Sequence, residues 1–161
     1  MTDPVEMKVE ELLLAGKGRH EIYHRLKNNA DQSKLIFHIN NSALPEDRNK
    51  YRYLNLFLCI ILLYLTAKKI PAIFVFDILT VYLLLSLVVP VINIYVLREV
   101  MRFHRVGYQF LIVISLLSLF QPENHNPVEG TICVLIAVIA FFLYCRLFPA
   151  SSALNPEKIP T

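Results

Sequence analysis

The sequence predicts an all-α membrane protein: four transmembrane helices in two hairpins, preceded by a small N-terminal three-helix cytoplasmic head. Three observations carry this expectation. The stretch Ile70–Leu97 is nearly all apolar and longer than the ~20 residues a helix needs to cross a bilayer. Further apolar stretches flank it at Leu54–Ala67, Val106–Phe120 and Gly130–Phe148. Arginines gather at alternate ends of these stretches, as they do where a chain crosses a membrane back and forth.

Composition agrees. Hydrophobic residues make up 55% of the 161 residues, with a mean hydropathy of +0.48. The excess falls after Tyr53, so the length allows one small head, residues 1–45, and one bundle, residues 46–148. The net charge of +3 is too modest for a dedicated nucleic-acid surface, and no nucleic-acid partner is expected. The three cysteines, Cys59, Cys133 and Cys145, lie inside apolar runs and form no C-x-x-C pair. They read as packing residues rather than a disulfide framework or a redox motif. The start of the chain is acidic and polar and lacks the pattern of a signal peptide. Insertion is therefore expected to rely on the internal helices.

In the head, Asp3 can cap a helix that opens with Pro4, and Glu6 completes a capping box. Val5, Val9, Leu12 and Leu13 share one helical face, and Gly16 ends the helix. A second helix, about Arg19–Asn28, places Ile22, Tyr23 and Leu26 on one side. Asn29–Asp31 can cap a third helix with Leu35, Ile36 and Ile39 inward, and Pro45 marks the next break. A core this small is marginal alone, so the head is expected to lean on the bundle, a partner or another copy.

Two head motifs suggest chemistry that their surroundings oppose. His20-Glu21-Ile22-Tyr23-His24 is a literal H-E-x-x-H, in which His20 and His24 could ligate zinc with Glu21 as general base. Lys17, Arg19, Arg25 and Lys27 crowd it with positive charge. Asp31, His38, Glu46 and Asp47 offer no defensible spacing for a third ligand. It reads as a chance match on a polar face, and neither a metal nor another cofactor is expected. Residues 12–26 also have helix-turn-helix spacing, but the following helix offers only Lys34 to a DNA backbone.

The four spans are expected at about 51–69, 72–97, 105–121 and 129–148, followed by a flexible tail at 149–161. Arg48, Lys50 and Arg52 flank the first span, Arg98, Arg102 and Arg105 fill the loop after the second, and Arg146 ends the fourth. The opposite side has only Lys68 and Lys69 and the acidic loop Gln121–Glu129. The positive-inside rule then places both termini in the cytoplasm, in the inner membrane if the cell is bacterial. Tyr51, Tyr53, Tyr95, Tyr108 and Tyr144 would form an aromatic belt at that interface. Arg98, Arg102 and Arg105 serve as the topology signal and as contacts for anionic lipid headgroups.

Polar groups inside the spans are the remaining candidates. Asp77 is the only acid in an apolar run, and Lys68 or Lys69 across a tight hairpin is its expected ion-pair partner. Pro90 should kink the second span by freeing the carbonyl of Ser86, with Asn93 nearby to hydrogen-bond across helices. Gly107, Leu111, Ser115 and Ser118 on span three, and Cys133, Ala137 and Ala140 on span four, are small-residue stripes expected to meet. No catalytic set emerges. The expected function is non-catalytic, as an accessory subunit, assembly factor or regulator. Its partners would be the bilayer and either another protein or a second copy, met through the head and spans three and four. The alternatives are a small oligomeric transporter or channel using Asp77, Pro90 and Asn93, and a membrane-tethered zinc hydrolase using His20, Glu21 and His24.

Overall fold

A computed structural model describes residues 3–74, 81–120 and 127–154, with side chains described for 3–68, 88–120, 128–149 and 151–154. The described residues form seven α-helices and no strand. Three short helices make the head: α1 (Pro4–Leu14), α2 (Arg19–Leu26) and α3 (Gln32–Asn41). Four longer ones make the bundle: α4 (Pro45–Phe74), α5 (Val81–Met101), α6 (Arg105–Ser118) and α7 (Pro127–Leu147).

The head forms where its local chemistry directs. The Asp3 side chain accepts a hydrogen bond from Val5 N at 3.0 Å, and Asp31 accepts from Ser33 N at 2.9 Å. Each carboxylate satisfies a donor that the first turn leaves unpaired. Gly16 ends α1 at a φ of +76°, with Gly16 N bonded to Leu13 O and Lys17 N to Leu12 O. That left-handed closure favours a residue without a Cβ. Val9, Leu13, Ile22, Tyr23, Leu35 and Ile39 then pack into one core, as their spacing predicts.

Leu154 joins this core, only 3% exposed. The first residues of the segment expected to be a flexible tail are thus packed against the head. Ala150–Ser152 form a 3-10 turn, and Leu154 is held by Asn40 from both sides. Asn40 Nδ2 donates to Leu154 O at 2.9 Å, and Leu154 N donates to Asn40 Oδ1 at 2.8 Å. One amide side chain thus satisfies both backbone groups of the tail residue, which offsets the entropy of ordering it.

In the bundle, α4 packs on α5 and α7, and α6 packs on α5 and α7. This is the neighbour pattern of a bundle whose helices run up and down in chain order. Its core includes Leu58, Leu62, Val96, Val100, Tyr108, Leu111, Ile136, Ala140 and Leu143. The most extensive contact is between α6 and α7, where Leu111 and Ser115 on one side and Cys133, Ala137 and Ala140 on the other are buried. Gly107 serves a different neighbour. A Cβ there would stand 2.8 Å from Glu99 Cβ and from Val100 N, so glycine lets the start of α6 cross the end of α5.

The turn between α5 and α6 is tight. Phe103 sits at a φ of +57°, with Phe103 N bonded to Val100 O and His104 N to Glu99 O. This is the same left-handed closure that Gly16 makes, here at a residue for which it costs about 1–2 kcal/mol. The Ala43 N–Phe103 O bond and the His104–Glu99 contact hold it in place.

Two helical stretches, Pro45–Lys68 and Val128–Leu147, are long and apolar enough to cross a membrane, and Arg105–Ser118 is apolar but shorter. Helix α4 differs from expectation at its far end. It continues unbroken past Lys68 and Lys69 to Phe74, through residues 70–74 where the sequence suggested a second span. A lysine pair marks a change of surroundings, not a reversal of the chain, and the helix runs on through Pro71. The aromatic belt also needs correction. Tyr108 is fully buried in the bundle core, because its side of α6 faces the neighbouring helices.

Candidate functional site at the head–bundle junction

The head meets the bundle at the arginine-rich end. The segment Asn41–Leu44, between α3 and α4, runs beside the α5–α6 turn. Ala43 N donates to Phe103 O at 3.3 Å, and Ser42 and His104 form an isolated antiparallel bridge. The Asn41 Oδ1 accepts from Val106 N at 3.0 Å. The first turn of α6 has no cap from its own N-cap residue His104, so the head supplies one.

An ionic cluster closes one flank of this junction. Glu6 and Glu10 lie one turn apart on α1 and face Arg48 from α4 and Arg102 from the α5–α6 turn. Arg102 Nη2 is 2.7 Å from Glu6 Oε1 and 3.3 Å from Glu10 Oε2. Arg48 Nη1 is 3.1 Å from Glu10 Oε1, and Arg48 Nε donates to Ala43 O at 2.9 Å. Burial works against the Glu10 charge, but the Arg48 and Arg102 guanidiniums hold its carboxyl below the usual carboxylate range. Beside them, His104 is 2% exposed. Its Nδ1 lies 2.7 Å from Glu99 Oε2, and its Nε2 lies 3.6 Å from Glu6 Oε1.

A second polar group ties the helices together below the junction. Asn55 Nδ2 on α4 donates to Val100 O on α5 at 3.0 Å, and Tyr108 Oη on α6 donates to Asn55 Oδ1 at 2.7 Å. All three helices share one buried amide.

The opposite flank holds a cavity of about 360 Å³, lined by Arg19, Asn40, Arg105, Tyr144, Phe148 and Pro149 among others. Arg19 is 7% exposed. Its Nη1 donates to Ser152 O at 2.8 Å and to Ser152 Oγ at 3.0 Å, and its Nη2 donates to Ser42 O at 2.9 Å. Its Nε is buried without a partner. Burial lowers the Arg19 pKa, Asp47 opposes the shift, and neighbouring Arg105 adds to it. Arg105 donates to the Tyr144 hydroxyl through Nε at 3.1 Å and Nη2 at 2.8 Å, and it stacks over that ring.

The residues singled out from sequence fall in several places. Of the arginines named as topology and headgroup residues, Arg98 is exposed, Arg105 lines the cavity, and Arg102 is held by two head carboxylates. Pro90 and Asn93 are buried in α5. Lys68 pairs with Glu129 at the start of α7. Asp77 and the Lys69 side chain lie outside the described residues. His20 and His24 are exposed, and Glu21 between them is bound by Lys17 at 3.0 Å and Arg25 at 2.8 Å. No three His, Cys, Asp or Glu side chains stand together to hold a metal ion among the described residues.

Glu6, Glu10, Arg19, Asn40, Arg48, Glu99 and His104 were not singled out for this junction from sequence. The one available signal was the i,i+4 pair of glutamates on α1, opposite in sign to the basic end of the bundle. Comparison of the chain with family models, curated proteins and solved structures finds no match in any of them.

Proposed function

We propose that the chain is a small four-span integral membrane protein of non-catalytic type. It acts as an accessory subunit, assembly factor or regulator through the surfaces of its head and bundle. One observation carries the membrane reading: the bundle wears its apolar side chains outward. Leu56, Phe57, Ile60 and Leu63 on α4 are all about half exposed. So are Val91 and Ile94 on α5, Val113 and Leu117 on α6, and Val138 and Phe141 on α7. A bundle in water keeps that outer face polar, whereas lipid accepts it. The 21 residues of α5 and of α7 reach about 31 Å each, near the thickness of the hydrocarbon layer. The 14 residues of α6 reach about 21 Å, which needs local thinning or flanking residues to span.

The arginine-rich end supports a cytoplasmic head by the positive-inside rule. Fixed to the bundle by the ionic cluster, the head is a rigid platform rather than a tethered arm. Met7, Leu14 and Phe37 are its exposed large apolar side chains and the natural contacts for another protein.

Single cysteines at positions 68 and 98, in a background without the native three, test the placement. An impermeant thiol reagent on intact cells is expected to label position 68 and to reach position 98 only after permeabilisation. The reverse pattern overturns the orientation. Purification in mild detergent tests the adaptor role. A stoichiometric partner is expected with the native chain and is lost with Leu14→Asp or Phe37→Asp. Retention of every partner by both variants excludes this head surface.

A further inference from the structure

The two flanks of the junction treat their arginines differently. Arg48 and Arg102 are matched by Glu6 and Glu10. Arg19 and Arg105 line the cavity on the other flank, and neither forms an ion pair among the described residues. The groups they bond are neutral: Ser42, Ser152 and the Tyr144 hydroxyl. No acidic residue lines the cavity among the described residues, although the charge of Asp47 reaches Arg19. A buried guanidinium is costly without a counter-charge, and a second guanidinium nearby raises that cost. Arg19 Nε is a buried donor without a partner, as is Arg48 Nη2 on the other flank, so the difference between the flanks lies in the counter-charges and not in the unpaired donors. The cavity therefore has two guanidinium groups without an ion-pair partner among the described residues, and an apolar wall from Phe148 and Pro149.

We propose that this cavity binds a phosphate-bearing anion, its oxygens held by Arg105 and Arg19 and its remaining part against Phe148. Guanidinium groups present paired N–H donors that fit phosphate oxygens, and they keep their charge at any physiological pH. The volume of about 360 Å³ suits a phosphate with a small substituent. Arg98 and Arg146 stand at the same end of the bundle, which on the orientation proposed above faces the anionic leaflet. A phospholipid headgroup is then within reach, and a soluble phosphate ester offers the same chemistry. Only the lipid source rests on the membrane placement.

The full chain in an uncharged detergent can be titrated with short-chain phosphatidylglycerol, short-chain phosphatidylcholine and inorganic phosphate, with bound ligand counted by native mass spectrometry. One phosphatidylglycerol per chain is expected, bound about tenfold more tightly than phosphatidylcholine. Arg105→Gln should weaken it by about the same factor, while Arg25→Gln, exposed on the head and outside the cavity lining, leaves it unchanged. Tyr144→Phe, which removes the hydroxyl that positions Arg105, should weaken binding several-fold and serves if Arg105→Gln does not fold. A rise in thermal midpoint with inorganic phosphate alone, absent in Arg105→Gln, identifies a soluble ligand. Lipid retention with no phosphate effect identifies a headgroup. Equal weakening by Arg25→Gln, or neither ligand binding, overturns the site. Extraction of the native chain from membranes by alkaline carbonate overturns the membrane placement and leaves the phosphate arm to decide the cavity.

Discussion

His104 Nδ1 lies 2.7 Å from Glu99 Oε2, so the turn that leaves α5 is fastened back onto the last turn of that helix. A carboxylate only accepts, so Nδ1 carries the proton in this bond. His104→Ala would leave the Glu99 carboxylate buried without its partner and is expected to cost about 3 kcal/mol. Glu99→Gln keeps an acceptor within reach and should cost about 1 kcal/mol. Loss of helical circular dichroism on titration with a denaturing detergent measures both. Equal losses would show that the pair matters through its charge rather than its hydrogen bond.

Glu10 makes the junction sensitive to acid. A carboxyl whose folded pKa is depressed contributes stability that is complete above its unfolded value of about 4.3. That contribution disappears as pH falls through the lower folded value. The thermal midpoint of the native protein should therefore decline below about pH 4. Glu10→Gln should begin with a lower midpoint at neutral pH and decline less steeply. The same acid slope in both proteins would remove Glu10 from the account.

Gly107→Ala should push α6 off α5, because the backbone of Val100 cannot yield to the new Cβ. A loss of about 2 kcal/mol is expected, the range of overpacking at a rigid contact. Gly18 provides the contrast. It caps α2 without a side-chain bond, and a Cβ there meets nothing within 4 Å. Gly18→Ser should be neutral or stabilise by about 0.5 kcal/mol. Thermal midpoints of the two variants settle the comparison.

Tyr108→Phe removes the bond to Asn55 and should cost about 1 kcal/mol. Asn55→Ala removes the bonds to both Tyr108 and Val100 and should cost about 2 kcal/mol. Together the two changes should cost less than their sum, which a double-mutant cycle reads directly. Strict additivity would show that the pair is not coupled.

Leu154→Ala empties part of the head core and should cost the head about 2–3 kcal/mol. Limited proteolysis separates this local effect from a global one. Cleavage near Gly16–Gly18 should accelerate while α4–α7 stay intact. Unchanged cleavage would mean that the tail rests on the head without supporting it.

The head was legible because its signals are local. Asp3, Asp31 and Gly16 each act on backbone groups a few residues away, and the apolar spacing of Val9, Leu13, Ile22 and Ile39 names the core directly. The apolar helices of the bundle were legible from hydropathy for the same reason. Depth along a helix was readable, but its rotation was not, so Tyr108 was assigned to an interface when its face turns to the core. The residue pairings at the junction were not legible. Glu10 meets Arg48 and Arg102 across most of the chain, and Arg19 meets Ser152 across nearly all of it. A single sequence carries charge and spacing, but it does not carry which distant charges meet.

Leu154 completes a core whose first member is Val9, and helices α4–α7 lie between them in the chain. The three head helices therefore borrow a core residue from beyond the bundle. Any change that displaces α7 pulls on the segment carrying Leu154, so the packing of Val9 and Ile39 is tied to the position of a helix outside the head. The head and the bundle are thus coupled through the chain as well as through the ionic cluster.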